Sequence, residues 1–374
     1  MMAADDKTVA KPGSPALRAL AAWVFSGDAS QLSWDYLKEL RLENAAAPLL
    51  RERLPGEVAA ECKRAFTAMH MQDIKQEFAF AELEKLFREH RIDYCPIKGA
   101  DLAWRVWPSG AFRTKCDLDI WVRPEDHETV LAQLAAAGWE TPYRYRHPHH
   151  DAMMQKHGVV LELHFHFPTF DTAATETVQR ELKPVSPHRY QLSLESNLLL
   201  LFSHSFHHQW QNGIQLLMDC GFLIRHEGKP DWEQLRCLAK SCNLAPPSLL
   251  FKSFPDFFPS DTMPDEEFPP EIINALRRLV LEAPPTRSQQ AEKVMGTPGR
   301  FSFRWWRDRL SAFRPYSVRM HTGNPRGHYG KLLIGYWKVG MEKFKLFWKF
   351  RHGSEDVRLN ERIRCEKRIE KFLS

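Results

Sequence analysis

Several things are missing from this chain, and each absence excludes a class. No apolar run approaches a membrane span: the longest aliphatic stretch, residues 198–202, is far below the roughly 20 residues a spanning helix needs. The N-terminus, MMAADDKTVAKPGSP, has no basic segment followed by an apolar one, so no secretory leader is expected. The seven cysteines (Cys62, Cys95, Cys116, Cys220, Cys237, Cys242 and Cys365) are odd in number and lack paired spacing. That argues against a disulfide framework and for reduced thiols in a cytoplasm, with Cys237 and Cys242 too isolated to hold zinc. The expectation is a cytoplasmic protein, soluble or peripheral at the inner membrane surface.

What is present points to a folded chain of two or three modules. Its 374 residues are 43% hydrophobic and include twelve tryptophans, which disfavours disorder. The net charge of +5 hides an asymmetry: residues 300–374 hold 19 Lys/Arg against 7 Asp/Glu, leaving the rest of the chain acidic. A basic partner surface therefore belongs to the C-terminal third.

The chain is organised around residues 97–122, IKGADLAWRVWPSGAFRTKCDLDIWV. An apolar strand over 92–97 runs into a Lys98-Gly99 turn and a helix over 100–107, so backbone N–H groups at the turn can meet a phosphate. A second strand, 117–122, carries Asp117 and Asp119 two residues apart, so both leave one face while Leu118, Ile120 and Val122 leave the other. Adjacent carboxylates raise each other's pKa unless a cation lies between them, and a hard divalent metal is the usual resolution. An Asp pair capping a surface strand is the plainer alternative. Arg113 precedes the pair by one loop and can reach the same mouth. Downstream, VVLELHFHF (159–167) reads as a strand with Glu162, His164 and His166 on one face, which makes Glu162 a candidate third carboxylate.

With these residues in place, the chain resembles the nucleotidyltransferase superfamily, and within it the bacterial family of uncharacterised nucleotidyltransferases. The resemblance rests on Lys98-Gly99, Arg113, Asp117-Leu118-Asp119 and Glu162-Leu163-His164, and covers roughly residues 15–244. The wider superfamily carries Gly-Ser or Gly-Gly at the turn; Lys-Gly is a variant shared with nucleotidyltransferase-like toxins. The resemblance implies an α+β fold, a small mixed β-sheet core flanked by N-terminal and C-terminal helices. It also implies metal-dependent transfer of a nucleoside monophosphate from an NTP, ATP among the candidates, to an unknown hydroxyl acceptor: a sugar, a peptide, a protein side chain or an RNA end. In that scheme Asp117, Asp119 and Glu162 hold two Mg²⁺ ions, Lys98 and Gly99 take a phosphate, and Arg113 offsets developing charge. Two rivals stand beside it: a catalytically inactive nucleotide- or partner-binding protein of the same fold, and a toxin-like enzyme modifying RNA ends.

The expected organisation is a tail (1–14), a helical scaffold (15–90), the catalytic core (91–190), a helical domain (191–244), a Pro-rich wrapping segment (245–300) and a basic aromatic region (301–374). Ser33 is expected to cap a helix over 34–40, and a long helix is expected over 57–90. Further helices are expected over 125–137, 195–208, 214–226, from 231 to 242 and over 271–282, with a strand over 140–145. His147, His149, His150 and His157 lack helical ligand spacing, so a loop facing substrate or a solvated hairpin is preferred over zinc. His164 reads either as the family's strand histidine, on the acceptor side with His149, His150, His204 and Asp219, or as a core histidine bonded to a neighbour. His204 and Asp219 are polar exceptions on apolar helices, and either pair with each other or line the acceptor side, pairing being the simpler reading. In 301–351, Arg/Trp interleaving and a Lys-edged aromatic helix suit packing on the chain's own core, a membrane interface, or nucleic acid. Over 354–373, Val357, Ile363 and Ile369 look too sparse to form core.

Overall fold

The computed structural model describes residues 13–54, 56–109, 111–141, 152–282 and 357–373. The sheet is built on two parallel strands, β2 (Asp117–Val122) and β4 (Val159–His164), in the register Asp117↔Val160, Asp119↔Glu162, Trp121↔His164. Alternation sends Leu118, Ile120, Val122, Val159, Leu161 and Leu163 to one face, where all are buried. That face is covered by Phe80, Leu83 and Phe87 of α4 (Gly56–Glu89) and by Val130 and Leu134 of α6 (His127–Ala136). The acidic residues are left on the opposite face, with Trp121 stacked on Phe167.

Six strands run in the order β3-β4-β2-β1-β6-β5, a mixed sheet. β1 (Tyr94–Pro96) lies antiparallel to β2 and parallel to β6 (Arg189–Gln191), while β3 (Ala152–Lys156) forms a hairpin with β4. His157 and Gly158 both have positive φ in that hairpin, as a two-residue turn matched to strand twist requires. The strand expected over 92–97 is shorter, because Ile97 already bonds Asp119 O and Lys98 turns into α5 (Gly99–Arg105). The helix expected over 125–137 begins as a 3₁₀ turn, Pro124–Asp126. Of the strand expected over 140–145, Glu140 forms a single bridge to Gln155, and 142–151 lie outside the described residues. The edge hairpin of β5 (Lys183–Ser186) and β6 is unread in the sequence, since Pro184 and Pro187 demote a strand everywhere except an edge.

Helices flank the sheet on both sides of the sequence. α1 (Pro15–Ser26) and α2 (Trp34–Leu40) start at serine caps, Ser14 and Ser33, whose hydroxyls accept from Leu17 N and Tyr36 N. α3 (Glu43–Ala46) follows. α7 (Thr172–Arg180) leads to β5, and after the sheet come α8 (Leu194–His207), α9 (Gly213–Glu227) and α10 (Trp232–Ser241). Trp23 of α1 meets Phe222 of α9 edge-on at 5.4 Å. Residues 245–282 form α11 (Ser248–Ser253) and α12 (Pro270–Leu281) and bury Phe251, Phe254, Phe257 and Phe258. α12 crosses α9 so closely that a Cβ at Gly213 would strike the Val280 backbone.

The chain divides into two compact units, 1–283 with 369–374, and 284–368. The second is described only over 357–368, part of a helix spanning Val357–Leu373. Ile369 is fully buried, against the expectation of a helix without core positions. The aromatic segment 301–351 lies outside the described residues, and among those described no helix is long and apolar enough to cross a membrane.

Candidate active site

A cavity of about 270 Å³ opens where the C-terminal end of β1, the acidic face of β2 and β4, and helices α8 and α9 meet. Asp117 and Asp119 reach it from β2 and Glu162 from β4, side by side because the register sets Asp119 opposite Glu162. Lys98 and Gly99 enter from the β1–α5 turn, where Lys98 holds φ 49° and ψ −122°. Side chains with a Cβ rarely adopt such a backbone, and it persists only where the surroundings enforce it. Arg113, His204 of α8 and Asp219 of α9 also line it.

The electrostatics are uneven across the carboxylates. Asp119 is 4% exposed, and burial alone would push its carboxyl up. Instead Lys98 Nζ at 2.5 Å and His164 Nε2, donating at 2.9 Å, both bond its Oδ1 and hold it well below the usual range. Asp117 has no such support. Burial, then the charges of Asp119 and Glu162, push it up to about 7 despite Lys98 and Arg113. Ligand atoms of Asp119, Glu162 and His164 lie within 4.8 Å of one another, and His164 is buried beneath the cavity. Clustered carboxylate oxygens suit a hard ion such as Mg²⁺ or Mn²⁺, with His164, as donor to Asp119, outside the ligand set. The donor set therefore fits a divalent ion.

The loop before β2 is clamped from two sides. Arg113 donates two hydrogen bonds to Asp219, at 2.9 and 2.8 Å, and Trp107 Nε1 donates a third at 2.8 Å. Asp219 thus pairs with Arg113, not with His204 as the simpler reading expected. Thr114 and Gln215 of α9 exchange hydrogen bonds, and Lys115 pairs with Asp73 of α4 over the face of Trp104. Gly99 packs against this loop: a Cβ there would lie 2.5 Å from Arg113 Nη1. His204 is kept neutral, its pKa pulled down to about 2 by burial and then by the charges of Lys98 and His208.

All of Lys98, Gly99, Arg113, Asp117, Asp119, Glu162, His204 and Asp219 line this one cavity, while His149 and His150 lie outside the described residues. Sequence reasoning passed over Gln211, Asn212 and Gln215, which complete the far wall. The only signal for them was a cluster of amides following the histidines of α8.

A family model described as an uncharacterised nucleotidyltransferase matches residues 29–253. The chain belongs to the uncharacterised nucleotidyltransferase family. No match to it was found among curated proteins or solved structures. The matched span of this nucleotidyltransferase contains every residue that lines the cavity, and the family places it among enzymes transferring phosphorus-containing groups.

Proposed function

We propose that this nucleotidyltransferase moves a nucleoside monophosphate from an NTP to a hydroxyl acceptor, using Mg²⁺ held by Asp117, Asp119 and Glu162. The observation that carries the reading is the convergence of these three carboxylates with Lys98, Gly99 and Arg113 on one cavity of a nucleotidyltransferase. In the reaction, the acceptor oxygen bonds the α-phosphorus, the bond to the β-phosphate oxygen breaks, and pyrophosphate leaves. Ions held by Asp117, Asp119 and Glu162 would supply charge stabilisation to the transferring phosphate and lower the pKa of the attacking hydroxyl.

The chain's own residues do the rest. Lys98 and the Gly99 N–H receive a phosphate of the donor. Arg113, fixed by Asp219, presents a rigid positive charge at the wall where negative charge accumulates. Glu162 accepts the acceptor proton, and His164 orients Asp119 from below. Neutral His204, with Asp219, is assigned to the acceptor side, where an uncharged imidazole can accept a hydroxyl hydrogen bond. The acceptor is a sugar, peptide, protein or RNA hydroxyl, and 301–351 is the candidate segment for membrane-surface or nucleic-acid contact.

Thermal melting against a panel of nucleoside triphosphates, with and without Mg²⁺, tests this for wild type and for Asp117→Asn/Asp119→Asn. The expected result is a Mg²⁺-dependent rise with at least one triphosphate that the double variant lacks. A rise of equal size in the double variant, or none with any triphosphate, would sink the proposal.

A further inference from the structure

Among the described residues, each Lys and Arg lining the cavity is already engaged. Arg113 is held by Asp219, Lys115 by Asp73 and Lys98 by Asp119. Two of these pairs are struts joining separate helices to the loop before β2. The third is different, because Lys98 and Asp119 both belong to the proposed catalytic set. Lys98 is 6% exposed, and its ammonium sits 2.5 Å from Oδ1 of Asp119, a carboxylate that the proposed function gives to a metal ion.

Burying Asp119 without a counter-charge is strongly unfavourable, so some cation must accompany it. His164 bonds the same Asp119 oxygen, and Glu162 lies 3.9 Å from that ring nitrogen, so two carboxylates draw on one imidazole. An ammonium and a divalent ion held on one buried carboxylate repel each other strongly. Alternation of the two relieves that repulsion. The strained backbone of Lys98 leads directly into α5, whose first turn is buried, so the main chain is pinned and only the four-carbon stem is free to move. Its open direction is the cavity, where the donor phosphates are proposed to lie.

We infer that Lys98 is an exchangeable place-holder cation: it neutralises Asp119 in the empty enzyme, and a divalent ion displaces its ammonium into the cavity, where it meets the triphosphate. The inference rests on the metal-dependent reading above. It makes nucleotide binding follow metal binding, because Lys98 is available to phosphate only after it leaves Asp119.

The proposal predicts opposite effects of Lys98→Gln on two ligands. With Mn²⁺ alone, measured by calorimetry in the absence of nucleotide, the variant binds about ten-fold tighter than wild type, since a competing charged hydrogen bond is gone. With a triphosphate at saturating Mn²⁺, the variant binds more weakly. A simple phosphate ligand would leave the metal affinity unchanged, and a purely structural lysine would weaken both. A second measurement needs no variant: pulse acetylation of the wild type read by peptide mass spectrometry. Saturating Mn²⁺ should raise labelling at Lys98 and leave Lys115 unaltered. Unchanged Lys98 labelling, or equal or weaker Mn²⁺ binding by Lys98→Gln, would overturn the inference while Mn²⁺ binding lost in Asp119→Asn kept the metal site intact. If wild type bound no Mn²⁺ at all, with or without triphosphate, both the inference and the reading beneath it would fall.

Discussion

Asp117→Asn should make the metal-free enzyme more stable at alkaline pH. Burial, then the charges of Asp119 and Glu162, raises the Asp117 carboxyl from 3.8 to about 7. A group whose folded pKa is raised binds protons more tightly when folded, so stability declines as pH climbs from about 4 through 7. A rise from 3.8 to about 7 sets an upper limit of about 4 kcal/mol on the effect. Asp117 keeps part of its contact with water, so about half of that, roughly 2 kcal/mol, is the working figure. An Asn of the same shape removes the buried charge and its repulsion, and a chain of this size should gain about 2–3 °C in melting temperature. Melts in chelator at pH 8.5 and pH 5 provide the assay. The variant should melt higher at pH 8.5, and the gap should narrow at pH 5, where wild-type Asp117 is largely protonated. Added Mg²⁺ should raise wild type and leave the variant nearly unmoved. A variant melting at or below wild type at pH 8.5 in chelator would refute the reasoning.

Three further outcomes are expected. Asp219→Asn leaves the Arg113 guanidinium buried with half its partner gone and should destabilise by about 3–5 kcal/mol in urea unfolding; a loss under about 1 kcal/mol would remove the strut role. Gly99→Ala places a Cβ against Arg113 Nη1 and should weaken triphosphate binding together with stability, since Arg113 cannot withdraw without leaving Asp219. His204 should show no imidazole titration by NMR between pH 8 and pH 4, and a midpoint near 6 would contradict its neutral, desolvated setting.

The candidate site was legible wherever alternation along a strand decided it. Asp117 and Asp119 share a face with Glu162 because a period of two allows nothing else once Leu118, Ile120, Leu161 and Leu163 are inside. Serine caps at Ser14 and Ser33 were local signals of the same kind. Less legible were features that depend on distant segments. The β5–β6 hairpin is an edge, and an edge is a property of the sheet, not of KPVSPHRYQ. Buried Phe251, Phe254 and Phe257 lie in a stretch whose prolines conceal its packing, and Gly213 reveals that packing only through Val280, far along the chain.

The sequence by itself determined that this protein carries three carboxylates, a Lys-Gly turn and an arginine in the order of a nucleotidyltransferase. It also determined that β2 and β4 present one acidic and one apolar face each. Only the tertiary structure decided which charges hold which. Asp219 chose Arg113 over His204 because α9 crosses the loop before β2, more than a hundred residues away in the chain. Asp119 took Lys98 as its cation because β1 ends beside β2, at a turn whose backbone is bent against its own preference. Ion pairing at such burial depends on distance and desolvation, and both arise only when remote segments are packed together.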